Sequence, residues 1–186
     1  MNSDGMHPHR GRVLEGMARA VAGKGYADTT IGDIVREAGV SRRTFYEHFA
    51  SKAECLVALY EAASHNALQV LRDAIDPAHD WEEQVERALA AYLGCMAANP
   101  VLMRTLFIEI LGLGADGLAA RRRVNQEIAD YMLGVVGADR VTPALAMAVV
   151  GGIHELVLQA IEYGRVTELP ELTVTATALV KAVAHR

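Results

Sequence analysis

Four side chains, Arg42, Arg43, Thr44 and Tyr46, have the types and spacing best suited to reading another molecule. A guanidinium can fork onto the acceptors of guanine, and a threonine can meet a thymine methyl or a base edge. At about 100° per residue, Phe45 and Phe49 fall together on the opposite side. The spacing predicts a short helix over roughly residues 42–49, with an aromatic inner face and a polar outer arc that suits a major groove. Tyr46, His48 and Lys52 come later, where hydroxyl, imidazole and ammonium groups can reach phosphates. Ser51 can cap the next helix, whose free amides also suit a phosphate.

The elements before this helix must position it. Thr29 or Thr30 can cap a helix start, with Asp33 in its first turn. Ile34, Val35 and Ala38 give that helix an apolar side, and Gly39 can end it in a left-handed conformation. Val40 would plug the turn, and Ser41 is a good N-cap for the reading helix. An earlier helix carries the stripe Val13, Leu14, Met17, Ala18 and Val21 and stops at Lys24-Gly25. Arg10 and Arg12 stand at its start, from where an arm could reach phosphates or a minor groove.

The string closely resembles the DNA-binding signature of the TetR family of bacterial transcriptional repressors. The matching residues are Thr30, Ile34, Ala38-Gly39-Val40-Ser41, Thr44-Phe45-Tyr46, His48-Phe49, Ser51-Lys52 and Leu56. Two positions depart from the family pattern, Val35 for alanine and Arg43 for a small residue; the second should alter base preference. The resemblance implies an all-α protein. Its N-terminal three-helix helix-turn-helix domain, over 10–56, would join a helical effector-binding and dimerisation domain over 57–186. It also implies a homodimeric repressor, dimerised through its last two helices and released from a palindromic double-stranded operator by a small-molecule effector. Residues and resemblance together assign DNA contacts to Thr30, Ser41, Arg42, Arg43, Thr44, Tyr46, His48 and Lys52. The competing expectation is a helical carrier or sensor that has lost operator binding.

Composition agrees with helices: 52% of residues are apolar and only 5% aromatic, so Ala, Leu, Val and Met should build the core. The net charge of −5 is uneven. Residues 1–56 hold eight Lys/Arg against seven Asp/Glu, and residues 57–186 hold ten against sixteen. An acidic remainder would limit promiscuous nucleic-acid binding. Cys55 and Cys95 have no metal-like spacing and are expected as reduced thiols. The first ten residues lack the apolar core of a signal peptide, and residues 1–9 are expected as a disordered tail. The most apolar stretch, Ala144 to Ile153, is too short for a bilayer. A cytoplasmic protein with no membrane partner, metal or cofactor is expected.

Beyond residue 56 the pattern predicts a long helix to about Leu71, one opened by Asp80, and one over 101–111. A loop at 112–117 and a helix over 118–136 follow, then one begun by Thr142-Pro143 and one opened by Pro170. The run Arg121-Arg122-Arg123 reads as a solvated face. Tyr92, Met96, Met103, Phe107, Tyr131 and His154 could line an effector cavity, apolar with a few polar groups. No nucleophile elbow, HExxH, phosphate-cradling glycine loop or paired-cysteine motif is present, so no enzymatic activity is expected.

Overall fold

The computed structural model describes residues 6–184, as nine α-helices with two 3₁₀ stretches and no strand among them. The helices are α1 (Met6–Asp28), α2 (Ile31–Ala38), α3 (Arg42–His48), α4 (Lys52–Asp73) and α5 (Trp81–Ala97), followed by α6 (Pro100–Phe107), α7 (Ala115–Val136), α8 (Pro143–Glu162) and α9 (Thr173–Ala184). The chain divides into two compact units. One comprises residues up to Ala63 together with Arg104–Ala120; the other comprises Ser64–Met103 and Arg121–Arg186. The division falls inside α4, after residue 56, and Arg104–Ala120 groups with the N-terminal unit. Glu109, in the 3₁₀ stretch after α6, lies beside Gly25 in that unit.

In the N-terminal unit, local signals set the helix ends. The tail expected over 1–9 is helical from Met6, since proline in a first turn loses no helix hydrogen bond; residues 1–5 lie outside the described residues. The backbone leaves helical geometry at Gly25, with φ 79° and ψ 164°. Thr30 caps α2 in a full capping box: its side chain accepts from the Asp33 amide at 3.2 Å, and its own amide donates to Asp33 Oδ2 at 2.9 Å. Gly39, at φ 62°, ends α2 in the left-handed region. Ser41 then caps α3, accepting from the Thr44 amide at 3.0 Å. The unit's core is Val13, Met17, Ile34, Phe45, Phe49, Cys55 and Leu56. Gly16 lets α1 and α2 meet: a Cβ there would lie 2.6 Å from the Ile34 carbonyl oxygen and 2.8 Å from the Ala38 nitrogen.

The second unit is packed with aliphatic side chains. The face Val85, Ala88, Leu89, Tyr92, Leu93 and Met96 of α5 is buried, and α5 packs on α9 and on the 3₁₀ stretch Val166–Leu172. That stretch holds Pro170, so the last helix opens at Thr173 instead of Pro170. α7 begins at Ala115, three residues before the expected start, and absorbs part of the expected loop. As a helix, α8 is 20 residues long and apolar enough by length and composition to cross a membrane. The ten-residue count made from the sequence stopped at His154-Glu155 and missed this. Its inward face from Ala146 to Ile161, with His154, is nevertheless buried against its own unit, as in a core helix.

Candidate functional site

The inner face of α3 is locked by two phenylalanines. Phe45 is fully buried, Phe49 nearly so, and their rings lie 5.8 Å apart. That packing turns the opposite arc outward: Ser41, Arg42, Arg43 and Glu47 are exposed, and Tyr46 is 57% exposed while its ring meets Phe45 edge-on. Thr44 and His48 are half-buried, Thr44 sharing a 2.9 Å contact with the Ser41 hydroxyl. Arg43 donates from Nε to Glu47 at 3.1 Å, yet its side chain stays 90% exposed. An ion pair in full solvent is worth under about 1 kcal/mol, so a stronger acceptor can capture the guanidinium. Arg42 sits against Gly32, where an added Cβ would come within 3.2 Å of its Nη2.

Four cations or hydroxyls assigned from sequence to DNA make contacts within the protein itself. Lys52 donates to the carbonyls of Tyr26 at 2.8 Å and Thr29 at 2.7 Å, and its ammonium lies 4.2 Å from the Tyr26 ring centroid. The chain leaving α1 presents these carbonyls, and an ammonium with three donors reaches them from the start of α4. Thr30 donates its hydroxyl to Asp33 at 2.6 Å. Arg12 is no outreaching arm; it donates to the Ala38 carbonyl at 3.1 Å and the Gly39 carbonyl at 2.5 Å, closing the end of α2. Arg10 lies 5.4 Å over the Phe49 ring. Asp33 accepts from Lys24, Thr30 and Arg36. The Lys24 ammonium, followed by the Thr30 hydroxyl and amide, holds its carboxyl well below the usual carboxylate range.

The second unit contains a cavity of about 60 Å³ between the end of α4 and helices α5, α7, α8 and α9. Its walls are aliphatic, Leu71, Val85, Leu89, Ile128, Val149, Ile153 and Val180 among them, with Tyr131 the one residue bearing a hydroxyl. Of the six residues expected to line a pocket, Tyr131 alone lines this cavity, with the Arg72 guanidinium 5.4 Å over its ring. Met96 and Met103 are buried as core, and Phe107 falls in the N-terminal unit. Tyr92 and His154 are joined to each other, Oη to Nε2 at 2.9 Å, with rings stacked at 6.3 Å. Burial, with a smaller contribution from the Arg121 charge, pushes the His154 imidazole down to about 4, so it is neutral at pH 7. Sequence reasoning missed Asn125, a buried polar residue beside Val124 and Ile128; its position inside that apolar stripe was the available signal.

Cys55 is buried, and burial pushes its thiol up to about 12; such a thiol is inert. Among the described residues no group of three or more His, Cys, Asp or Glu could hold a metal ion.

Comparison with known proteins places this architecture. The sequence model described as "Bacterial regulatory proteins, tetR family" matches residues 13–59, the segment from α1 into α4. The HTH-type transcriptional regulator TtgR of Pseudomonas putida is 34% identical over 118 residues, covering 63% of this chain and 47% of that protein. The chain spans about half, or less, of the length of the first curated relatives it matches. Among solved structures, the transcriptional regulator FadR of Bacillus subtilis, in complex with stearoyl-CoA, superposes with a TM-score of 0.79 at 16% identity, over 91% of this chain and 96% of that one. The fatty acid degradation regulator FadR of Bacillus halodurans gives 0.78 at 17% identity, over 93% and 94%. At these identities the likeness is one of fold.

Proposed function

We propose that the chain is a member of the TetR family of bacterial regulatory proteins, whose sequence model matches residues 13–59, and that it is a sequence-specific, DNA-binding transcriptional repressor. It acts as a homodimer in the cytoplasm, and a small-molecule effector releases it from a palindromic operator. The observation that carries this reading is the division of α3, with Phe45 and Phe49 buried and Arg42, Arg43 and Tyr46 exposed. Base contacts fall to Arg42, Arg43 and Thr44, and phosphate contacts to Ser41, Tyr46 and His48. Thr30 and Lys52 support the reading helix from behind the site.

A twofold dimer lets two such helices enter successive major grooves about 34–36 Å apart. The outer face of α8 and α9 suits the pairing, for Ala144, Ala148, Ala178 and Ala182 are exposed small residues and Val174 is 78% exposed. The cavity in the second unit is the effector site. Binding that favours a body conformation with different head spacing would lower operator affinity about a hundredfold for roughly 3 kcal/mol of coupling. One fold neighbour was solved with stearoyl-CoA bound, which supports an effector carrying apolar groups. The carrier reading is less favoured, since a chain released from operator binding has no need of an exposed Arg42-Arg43-Tyr46 arc.

The test is selection of bound duplexes from a random DNA pool with purified protein at several salt concentrations. Recovery of an inverted repeat is expected, and Arg43→Ala with Tyr46→Phe should abolish its enrichment while leaving the fold intact. Weak, salt-sensitive binding without any motif would sink the repressor reading.

A further inference from the structure

Past one end of the cavity's aliphatic lining, three helices carry polar residues. On α5, Tyr92 lies one turn beyond the lining residues Ala88 and Leu89; on α8, His154 lies one turn beyond Val150. The Tyr92 to His154 hydrogen bond puts these two positions at the same end. On α7, the Arg121 charge is felt by His154, so the N-terminal part of that helix runs past this end. Asn125 stands between Arg121 and the lining residue Ile128, on the face that carries Ile128 and Ala129 inward. Asn125 is 7% exposed, and its Oδ1 is buried without a hydrogen-bond partner. Thr177 Oγ1 is in the same condition on α9, one turn before the lining residue Val180.

A buried amide oxygen with no donor is costly, and a native structure that keeps one calls for an explanation. We propose that the cavity takes a small neutral molecule whose apolar body fills the space among α5, α7, α8 and α9 and whose hydroxyl or N–H donates to Asn125 Oδ1. This deepens, and rests on, the reading of the second unit as the effector-binding part. The aliphatic walls recognise the body by excluding water from it. The polar groups past that end, reached once the helices part, select the head. An anion would be drawn by Arg121 but would set its own oxygens against Oδ1, and a cation would face Arg121 directly. His154, neutral by burial, adds no charge for either to pair with. A cavity of about 60 Å³ is well below the roughly 150 Å³ that holds a benzene ring. A ring-sized occupant must therefore spread the surrounding helices, which is how occupancy would reach the rest of the body.

The test uses the full chain without DNA, titrated calorimetrically at pH 7 with phenol, toluene and benzoate. Phenol and toluene differ by a hydroxyl in place of a methyl, so their ratio reads the hydrogen bond. Phenol should bind about tenfold more tightly than toluene, and benzoate should not bind measurably. Asn125→Leu should bring the phenol to toluene ratio near one and raise the melting temperature of the unliganded protein, because the orphaned acceptor is gone. Should that variant not fold, the three-probe comparison on the unaltered chain decides alone. Equal affinity for phenol and toluene, tighter binding of benzoate, no binding of phenol, or a ratio that survives Asn125→Leu would each overturn the proposal. Failure of the repressor reading would instead appear as absence of a selected operator, which these titrations do not measure.

Discussion

The two units differ most in what their interior polar side chains do. In the N-terminal unit they serve the backbone: Arg12 closes the end of α2, Lys52 ties down the carbonyls after α1, and Thr30 with Asp33 caps α2. In the second unit the buried polar groups serve one another, as Tyr92 does His154, or stand unpartnered, as does Asn125 Oδ1. Backbone capping holds a rigid frame with one geometry, which the proposed DNA-reading role of α3 requires. A body of aliphatic contacts around a cavity has few directional bonds to break when its helices shift, which the proposed ligand response requires.

Acid should act first on the second unit. The unfolded chain protonates His154 below about pH 6.5, whereas the folded protein keeps it neutral down to about 4. Between these values the unfolded state takes up a proton that the folded state refuses. Stability is therefore full above about pH 6.5 and falls on acidification, by on the order of 3 kcal/mol. Urea unfolding at pH 7 and pH 4.5 measures the loss, and His154→Gln should remove most of it; an unchanged slope would break the comparison. A smaller cost should attend Gly16→Ala in the N-terminal unit, about 2 kcal/mol, since the added Cβ meets backbone atoms of α2 that cannot step aside. Retention of wild-type stability would mean that α1 and α2 have more room than their packing shows.

Arg12→Ala separates support from contact. Loss of the bonds to Ala38 and Gly39 should lower operator affinity about tenfold, roughly 1.4 kcal/mol, with the salt dependence of binding unchanged. A phosphate contact would instead reduce the salt slope by about one and weaken all sequences alike. Arg12→Lys should resemble the alanine variant, because an ammonium keeps the charge but not the fork. The smallest effect belongs to Asp33→Asn. The Asp33 carboxyl titrates below its ordinary range because Lys24 and Thr30 bond its charged form. Its stabilisation is present above the usual carboxylate pKa and fades as the pH drops beneath it. The melting curves of wild type and Asp33→Asn should thus differ at pH 7 and converge in strong acid.

The helix-turn-helix could be read residue by residue because its devices are local. A threonine three residues before an aspartate, a glycine at a helix end and two phenylalanines four apart each act within one turn of helix, and the sequence alone determined them. The same reading sent Lys52 and Arg12 outward to DNA, whereas in the folded chain both donate to backbone carbonyls. The carbonyls that bind them belong to residues at least 23 positions away, and sequence spacing carries no trace of such a pairing. The second unit shows the same limit. Its helices follow from apolar periodicity, but which aliphatic side chains face a void depends on how five helices pack. Five of the six expected lining residues therefore lie elsewhere, Tyr92 and His154 as a pair beyond the cavity. Local hydrogen bonds are written in neighbouring residues, whereas a cavity is a property of surfaces that meet only after folding.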